Sequence, residues 1–225
     1  MLAELEARGF AMHRAVLNAE QLGRWQAAVA PLLTDSPAGL RQLGQKLPAL
    51  QQLAHSPAIR RLLEPALGQD IRLVRAILFN KGPDSNWQVG WHQDLSIAVA
   101  ERIDLPGFSA WSLKEGVQHV QPPLAVLEHM LTLRLHLDTA DEENGALYVA
   151  PGSHQLGRIN SNDASTTAEH LGSVLCAANA GDVLLMRPLL LHASFKAANA
   201  KPRRVIHLEF SGKDLPAPLR WHDEV

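Results

Sequence analysis

Cysteine is almost missing from this sequence: one thiol, Cys176, in 225 residues. No internal disulfide can form, and no thiolate-rich zinc or iron–sulfur site can be built. Any metal rests on carboxylates and on the eleven histidines. An excess of one charge sign is missing too. Lys and Arg number 21 against 23 Asp and Glu, a net charge of −2, which leaves no electrostatic footprint for nucleic acid or an anionic membrane. No apolar run reaches the roughly eighteen residues of a membrane-spanning helix. The longest, around Leu184–Leu191, is broken by Arg187 and Pro188. The stretch Met1–Glu6 has neither a basic segment nor a long apolar one, so a secretory signal is not expected and a cytoplasmic protein is. Repeats, low-complexity tracts and Ser/Gly-rich linkers are absent.

With 46% hydrophobic and 20% charged residues, the chain suits one globular domain over residues 1–225. Residues 1–70 read as mainly helical. Asn18 and Gln21 resemble a capping box, followed by Leu22, Trp25, Val29, Leu32 and Leu33 at helical spacing. Ser56-Pro57 is a helix start, Ile59, Leu62, Leu63 and Leu67 share one face, and Gly68 is a stop. Leu40–Leu53 is amphipathic but interrupted by Pro48. From Ile71 the period changes to 2, with strands expected over Ile71–Phe79, Leu131–Asp138, Ala146–Ala150, Val183–Met186, Leu190–Phe195 and Arg203–Phe210. In Leu131–Asp138 four leucines alternate with Thr132, Arg134, His136 and Asp138. In Arg203–Phe210, Ile206, Leu208 and Phe210 oppose Arg203, His207 and Glu209. Such polar faces either line a cavity or meet solvent. Residues 71–212 are expected to form a double-sheet β core, giving an α+β protein with a jelly roll. Pro106–Pro123 shows little regular pattern.

Trp91-His92-Gln93-Asp94 places two ligand-type residues one apart. On a strand, residues i and i+2 project to one face, roughly 6.5–7 Å apart, so imidazole and carboxylate can converge on one ion; a surface His and Asp is the plain alternative. His192 ends an apolar run, where a buried ring needs a partner, either backbone or metal. Two histidines and a carboxylate form the facial triad of non-haem Fe(II) oxygenases. Arg203, eleven residues later, has the side chain that grips a carboxylate through two parallel hydrogen bonds.

These residues resemble the phytanoyl-CoA dioxygenase family of Fe(II)- and 2-oxoglutarate-dependent oxygenases, over roughly Leu73–Ser211. The resemblance rests on Asn80-Lys81-Gly82-Pro83-Asp84 leading into Trp91–Leu95, on Glu143–His154 with its Asn-Gly and Pro-Gly-Ser-His, and on Gly181-Asp182-Val183 through His192 to Arg203-Arg204. It implies a double-stranded β-helix with N-terminal helices packed on one sheet. It also implies Fe(II) on His92, Asp94 and His192, and the distal carboxylate of 2-oxoglutarate on Arg203 with Ser194. Ile77 falls beside the cosubstrate, and an upstream family lysine that touches it is matched to Lys46. Arg134 stands where members have a tryptophan near 2-oxoglutarate. It either binds a cosubstrate or substrate carboxylate there, or pairs with Asp138 or Asp141. Trp111, His119, His136 and His207 are candidates for lining a small-molecule substrate pocket, with core packing as the alternative. His154 is expected to fix a turn. The implied reaction consumes O₂ and 2-oxoglutarate and releases succinate and CO₂. Asp94 favours hydroxylation over halogenation, since related halogenases carry a small residue in its place; desaturation and epimerisation keep the same triad and stay open. A cupin-type metal dioxygenase or isomerase without 2-oxoglutarate, and a catalytically silent metal-binding sensor, are the competing readings. Oligomeric state and substrate identity are not legible.

Overall fold

The capping box forms as expected. Asn18 Oδ1 accepts from the Gln21 backbone N–H at 2.9 Å, and Gln21 Oε1 accepts from the Asn18 N–H at 3.0 Å. It starts α2 (Ala19–Val29), which follows α1 (Leu2–Arg8) and strand β1 (Phe10–His13). After the two-residue β2 (Gly39–Leu40), Pro48 divides α3 (Leu43–Lys46) from α4 (Ala49–Ala54), because proline cannot donate into a continuing helix. Ser56 then caps α5 (Pro57–Leu67), with Pro57 in its first turn. The structure is a computed structural model describing residues 2–34, 36, 38–82, 85–199 and 201–223. Pro83 and Asp84 of the Asn80–Asp84 segment lie outside the described residues.

The remaining elements are mostly strands: β3 (Arg72–Lys81), β4 (Val89–His92), β5 (Ile97–Val99), β6 (Ser109–Lys114), β7 (Val117–Gln121), β8 (Met130–His136), β9 (Leu147–Val149), β10 (Val174–Cys176), β11 (Val183–Met186), β12 (His192–Ser194) and β13 (Arg203–Ser211). Short helices α6 (Leu124–Leu127) and α7 (Ala164–Leu171) interrupt them. Six strands make a large antiparallel sheet in the order β1-β11-β8-β13-β3-β2, and four make a smaller one, β10-β9-β12-β4. Two such antiparallel sheets make the jelly-roll core.

Alternation on β8 and β13 sorts the chemistry by face. Leu131, Leu133, Leu135, Ile206, Leu208 and Phe210 join the helical residues Val29, Leu43, Leu50, Ile59 and Leu63 in one buried cluster. The helices therefore cover the outer face of the large sheet. The opposite face of the same strands carries Thr132, Arg134, His136, Arg203, His207 and Glu209, each no more than 5% exposed. This polar face is enclosed, not solvated.

Two expectations are corrected. Phe10–His13, in the helical third, is a strand: β1 pairs with β11 at the edge of the large sheet. Pro106–Pro123 is not irregular, because β6 and β7 form a hairpin and β5 completes a three-stranded sheet. The hairpin turns at Glu115-Gly116, both in the left-handed region at φ 49° and 82°, the backbone of a two-residue turn that follows the strand twist.

Candidate metal and anion site

β4 and β12 pair with His92 directly opposite His192, which brings the two ring centroids to 4.1 Å. Each ring is fixed in the same way. Nδ1 of His92 lies 2.8 Å from the Gly90 carbonyl, and Nδ1 of His192 lies 2.9 Å from the Leu190 carbonyl. A carbonyl only accepts, so both Nδ1 atoms carry the proton and both Nε2 atoms offer a lone pair. Those Nε2 atoms stand 4.0 and 3.6 Å from the carboxylate oxygens of Asp94. Two ligands at about 2.1 Å from one ion lie at most about 4.2 Å apart, so both contacts have coordinating dimensions. The ligand-type atoms of His92, Asp94 and His192 all fall within 4.8 Å of one another.

Asp94 follows the end of β4, so strand alternation alone does not aim it. Its N–H donates to Pro188 O at 2.9 Å. The buried Gln93 amide donates to Gly157 O and Leu189 O and accepts from the Ile159 N–H. Gln93 thus pins the turn that presents Asp94, a role the His-x-Asp spacing did not reveal. Burial works against ionising Asp94, but His192, His207 and His92, which carry charge in the acid range where the carboxyl titrates, together with Arg75 outweigh it and hold its carboxyl at about 2. Burial lowers His192 to about 4. At neutral pH one member is an anion and His192 is neutral, the state a divalent ion requires. Asp94 Oδ2 is buried with no hydrogen-bond partner, an orphan that a cation would satisfy. The lone Cys176 is buried and its thiol is pushed up to about 12, so it takes no part.

The triad opens onto a cavity of about 80 Å³ shared with Phe79, Trp87, Arg134, Ser194, Arg203 and His207. Arg203 is 2% exposed, and its Nε and Nη1 find no partner. Burial and the neighbouring Arg134 pull it down to about 9. Arg134 donates from Nη1 to His207 Nδ1 at 3.0 Å and stacks over Phe79 at 5.6 Å, while its Nε is orphaned. Because His207 Nδ1 accepts, its Nε2–H donates to Glu209 Oε1 at 3.2 Å, and Arg75 Nη1 holds that same oxygen at 3.0 Å. The alternative, a pairing of Arg134 with Asp138, does not form. Asp138 is engaged by Arg204, which donates from Nε and Nη2 at 2.8 Å each.

Other expected site residues are placed elsewhere. Lys46 is exposed at the end of α3, in the helical layer, and the structure does not bring it to the cavity. The lysine at the site is Lys81. Fully buried on β3, it donates from Nζ to Ser194 Oγ at 2.9 Å and to Phe195 O at 2.6 Å. Burial, Arg203 and Arg134 lower it to about 8. Ser194 in turn donates to Gly145 O at 3.0 Å. Lys81 ends β3 on the face of Arg75, Ile77 and Phe79, and its neighbours come from β12 and β13. Ile77 shares the inner face of β3 opposite His207 but does not line the cavity. His136 lies on the inner face of β8 with both ring nitrogens unpartnered, and burial with Arg134 and Arg203 lowers it to about 3. Trp111 and His119 stand on β6 and β7, away from the cavity: Arg102 stacks over Trp111 at 5.4 Å, and His119 Nδ1 bonds Val117 O at 3.0 Å. His154 bonds Glu6 O at 3.0 Å, tying its turn to α1.

Among the described residues no helix is long and apolar enough to cross a membrane. Solved structures share the whole architecture. EctD from S. alaskensis, solved with bound Fe, superposes with a TM-score of 0.74 at 18% identity, covering 96% of this chain and 78% of EctD. The non-haem α-ketoglutarate-dependent epimerase SnoN of nogalamycin biosynthesis gives 0.71 at 20% identity, covering 99% of this chain and 93% of SnoN. The carbocyclase SnoK of the same biosynthesis gives 0.72 at 16%, covering 100% and 86%. A comparison with curated proteins finds no match. At these identities the likeness establishes the fold; kinship comes from the sequence. Residues 5–205 match the family model described as phytanoyl-CoA dioxygenase, and the chain is a member of that family.

Proposed function

We propose that the chain, as one oxygenase domain, is an Fe(II)- and 2-oxoglutarate-dependent oxygenase that hydroxylates an unactivated C–H bond of a small molecule. In that reaction one atom of O₂ enters the substrate as hydroxyl. The other enters succinate as 2-oxoglutarate loses CO₂. One observation carries the reading: a chelating triad and an unmatched buried guanidinium share one cavity. Arg203 and Arg134 line the cavity with one carboxylate, Asp94, Lys81 stands behind Ser194, and no acidic side chain lies within 4.0 Å of the three cations among the described residues. A dianion is what such a lining accepts, because a buried charge without a partner costs several kcal/mol. A cupin-type enzyme without 2-oxoglutarate accounts for the triad but leaves Arg203 unmatched.

In this reading His92, Asp94 and His192 hold Fe(II), and the bound metal supplies the activation of O₂. Arg203 takes the distal carboxylate of 2-oxoglutarate through its two free donors. Ser194 lies beside it, Arg134 flanks the ligand, and Ile77 backs it on the inner face of β3. His207 lines this ligand space, His136 lies on the same inner face of the sheet, and Phe79, Trp87, Val89 and Leu147 on the cavity wall exclude bulk water. That SnoN was solved with Fe3+ and α-ketoglutarate and EctD with 2-oxoglutarate and 5-hydroxyectoine supports the cofactor pair and a small-molecule substrate. The presence of Asp94 supports hydroxylation over halogenation.

Anaerobic addition of Fe(II) and 2-oxoglutarate should produce a weak visible charge-transfer band that Asp94→Ala and His192→Ala abolish. Folded, iron-loaded wild type without that band would contradict the proposal. A screen of metabolites scored by succinate then identifies the substrate.

A further inference from the structure

An Fe(II) ion and a 2-oxoglutarate dianion cancel one another, so the positive excess of the lining survives loading. Among the described residues Arg134 and Arg203 line the cavity with a single carboxylate, Asp94, and the buried Lys81 stands behind Ser194. Resting on the oxygenase reading, we infer that the primary substrate is itself an anion, a small carboxylate, and that Arg134 is the residue that grips it.

The placement of the three cations separates their tasks. Lys81 and Arg203 are directly opposite each other on β3 and β13, at one end of the inner face. Two of the three Lys81 protons are already given to Ser194 Oγ and Phe195 O. Arg134 stands on the other flank of β13, opposite His207, and lines one cavity with His92, Asp94 and His192. It therefore borders the metal end of the cavity, where a substrate must be presented. Its fork is held in place: Nη1 is committed to His207, whose tautomer is fixed by Glu209, which Arg75 anchors. The orphaned Nε belongs to a 5%-exposed side chain lining the cavity. Its positive charge has no acidic partner, since Glu209 is shared between His207 and Arg75. A planar fork with fixed orientation and open donors matches a carboxylate.

The test uses the iron-loaded, 2-oxoglutarate-bound protein without oxygen. The charge-transfer band is read first: its absence from wild type defeats the oxygenase reading, not this inference, whereas its loss from both Arg134→Leu and Arg134→Gln with wild type intact places Arg134 on the cosubstrate and overturns the inference. Acetate, propionate and butyrate are then titrated against acetamide, propionamide and butyramide at constant ionic strength, reading melting temperature and the band. The carboxylates should raise the melting temperature saturably with the band retained, the amides should not, and both variants should need at least about tenfold more carboxylate. Equal responses to acids and amides, or unchanged responses in the variants, overturn the inference. Loss of the band on adding carboxylate also overturns it, because the acids would then be displacing the cosubstrate. If Arg134→Leu does not fold, Arg134→Gln, which keeps a donor and the stem packing, decides alone.

Discussion

Replacing Arg203 with methionine removes a charge that the ligand-free protein holds at a loss. The side chain is 2% exposed, two of its nitrogens lack partners, and the nearest strong field is that of another cation, Arg134. Its fall from 12.5 to about 9 opposes the charged form by roughly 5 kcal/mol, at about 1.4 kcal/mol per pH unit. Methionine keeps most of the stem packing but leaves part of the guanidinium space unfilled, which costs back a few kcal/mol. The net expectation is a ligand-free protein more stable by about 1–3 kcal/mol, within the range for buried ions replaced by apolar groups. For a chain of this size that is roughly 2–10 °C in melting temperature. The sign has a pH signature. A cation with a depressed folded pKa is penalised in full below that value and progressively less above it, so the advantage of the variant is complete at pH 7 and shrinks above pH 9. With 2-oxoglutarate the order reverses, since losing a buried carboxylate partner weakens binding roughly 100-fold or more. Thermal melts, in EDTA for the ligand-free protein and anaerobically with Fe(II) and 2-oxoglutarate for the bound one, read both effects. A variant clearly less stable than wild type without ligand, or one still stabilised by 2-oxoglutarate to the same degree, refutes the reasoning.

At Gly145 (φ 77°) a Cβ would sit 2.7 Å from Phe195 O and 2.9 Å from Lys81 Nζ, so Gly145→Ala should lower the melting temperature and raise the 2-oxoglutarate requirement. Gly116→Ala, at φ 82° with nothing within 4 Å, is its control: it carries only the backbone strain, about 1–2 kcal/mol, and leaves the requirement unchanged. His192, His119 and His136 are lowered to about 4, 4 and 3. Below their unfolded value of 6.5 the unfolded chain binds protons the metal-free native state refuses, so stability is full above pH 6.5 and falls toward pH 4. Urea melts across that window should show His136→Phe reducing the slope by about one proton; an unchanged slope would falsify the buried neutral assignment. Asp182, 2% exposed, accepts from Arg14 Nη1 and the Ala15 and Asn179 N–H groups. Asp182→Ala should cost about 3 kcal/mol by stranding those donors, measurable by urea denaturation, while leaving the metal ligands in place.

The readable parts of the fold were those whose cause is local. The Asn18 cap, the Ser56-Pro57 start and the leucine alternation of β8 are each decided within a few residues, and each formed. The misread parts depend on distant partners. Phe10–His13 is too short to show a period and becomes a strand only because β11 offers it an edge. The β6–β7 hairpin was hidden because β6 has no alternating buried face: Trp111 packs against a core cluster, but Leu113, two residues on, is 64% exposed.

The same division explains the site. His92 and Asp94 lie one residue apart, and His192 announces itself at the end of an apolar run, so the triad could be read along the chain. The cation cluster could not. Lys81 and Arg203 meet only through the register of β3 against β13, and like charges directly opposite on neighbouring strands are destabilising. A sequence shaped for stability alone would not put two cations, both at most 2% exposed, in that pair. The family's upstream lysine was accordingly matched to Lys46, which the fold leaves at the surface, and not to Lys81. The pairing makes physical sense once an anion is part of the structure: the repulsion that weakens the unliganded sheet is the attraction that holds the ligand. The violation of the pairing rule, more than any single motif, marks where this fold was shaped by what it binds.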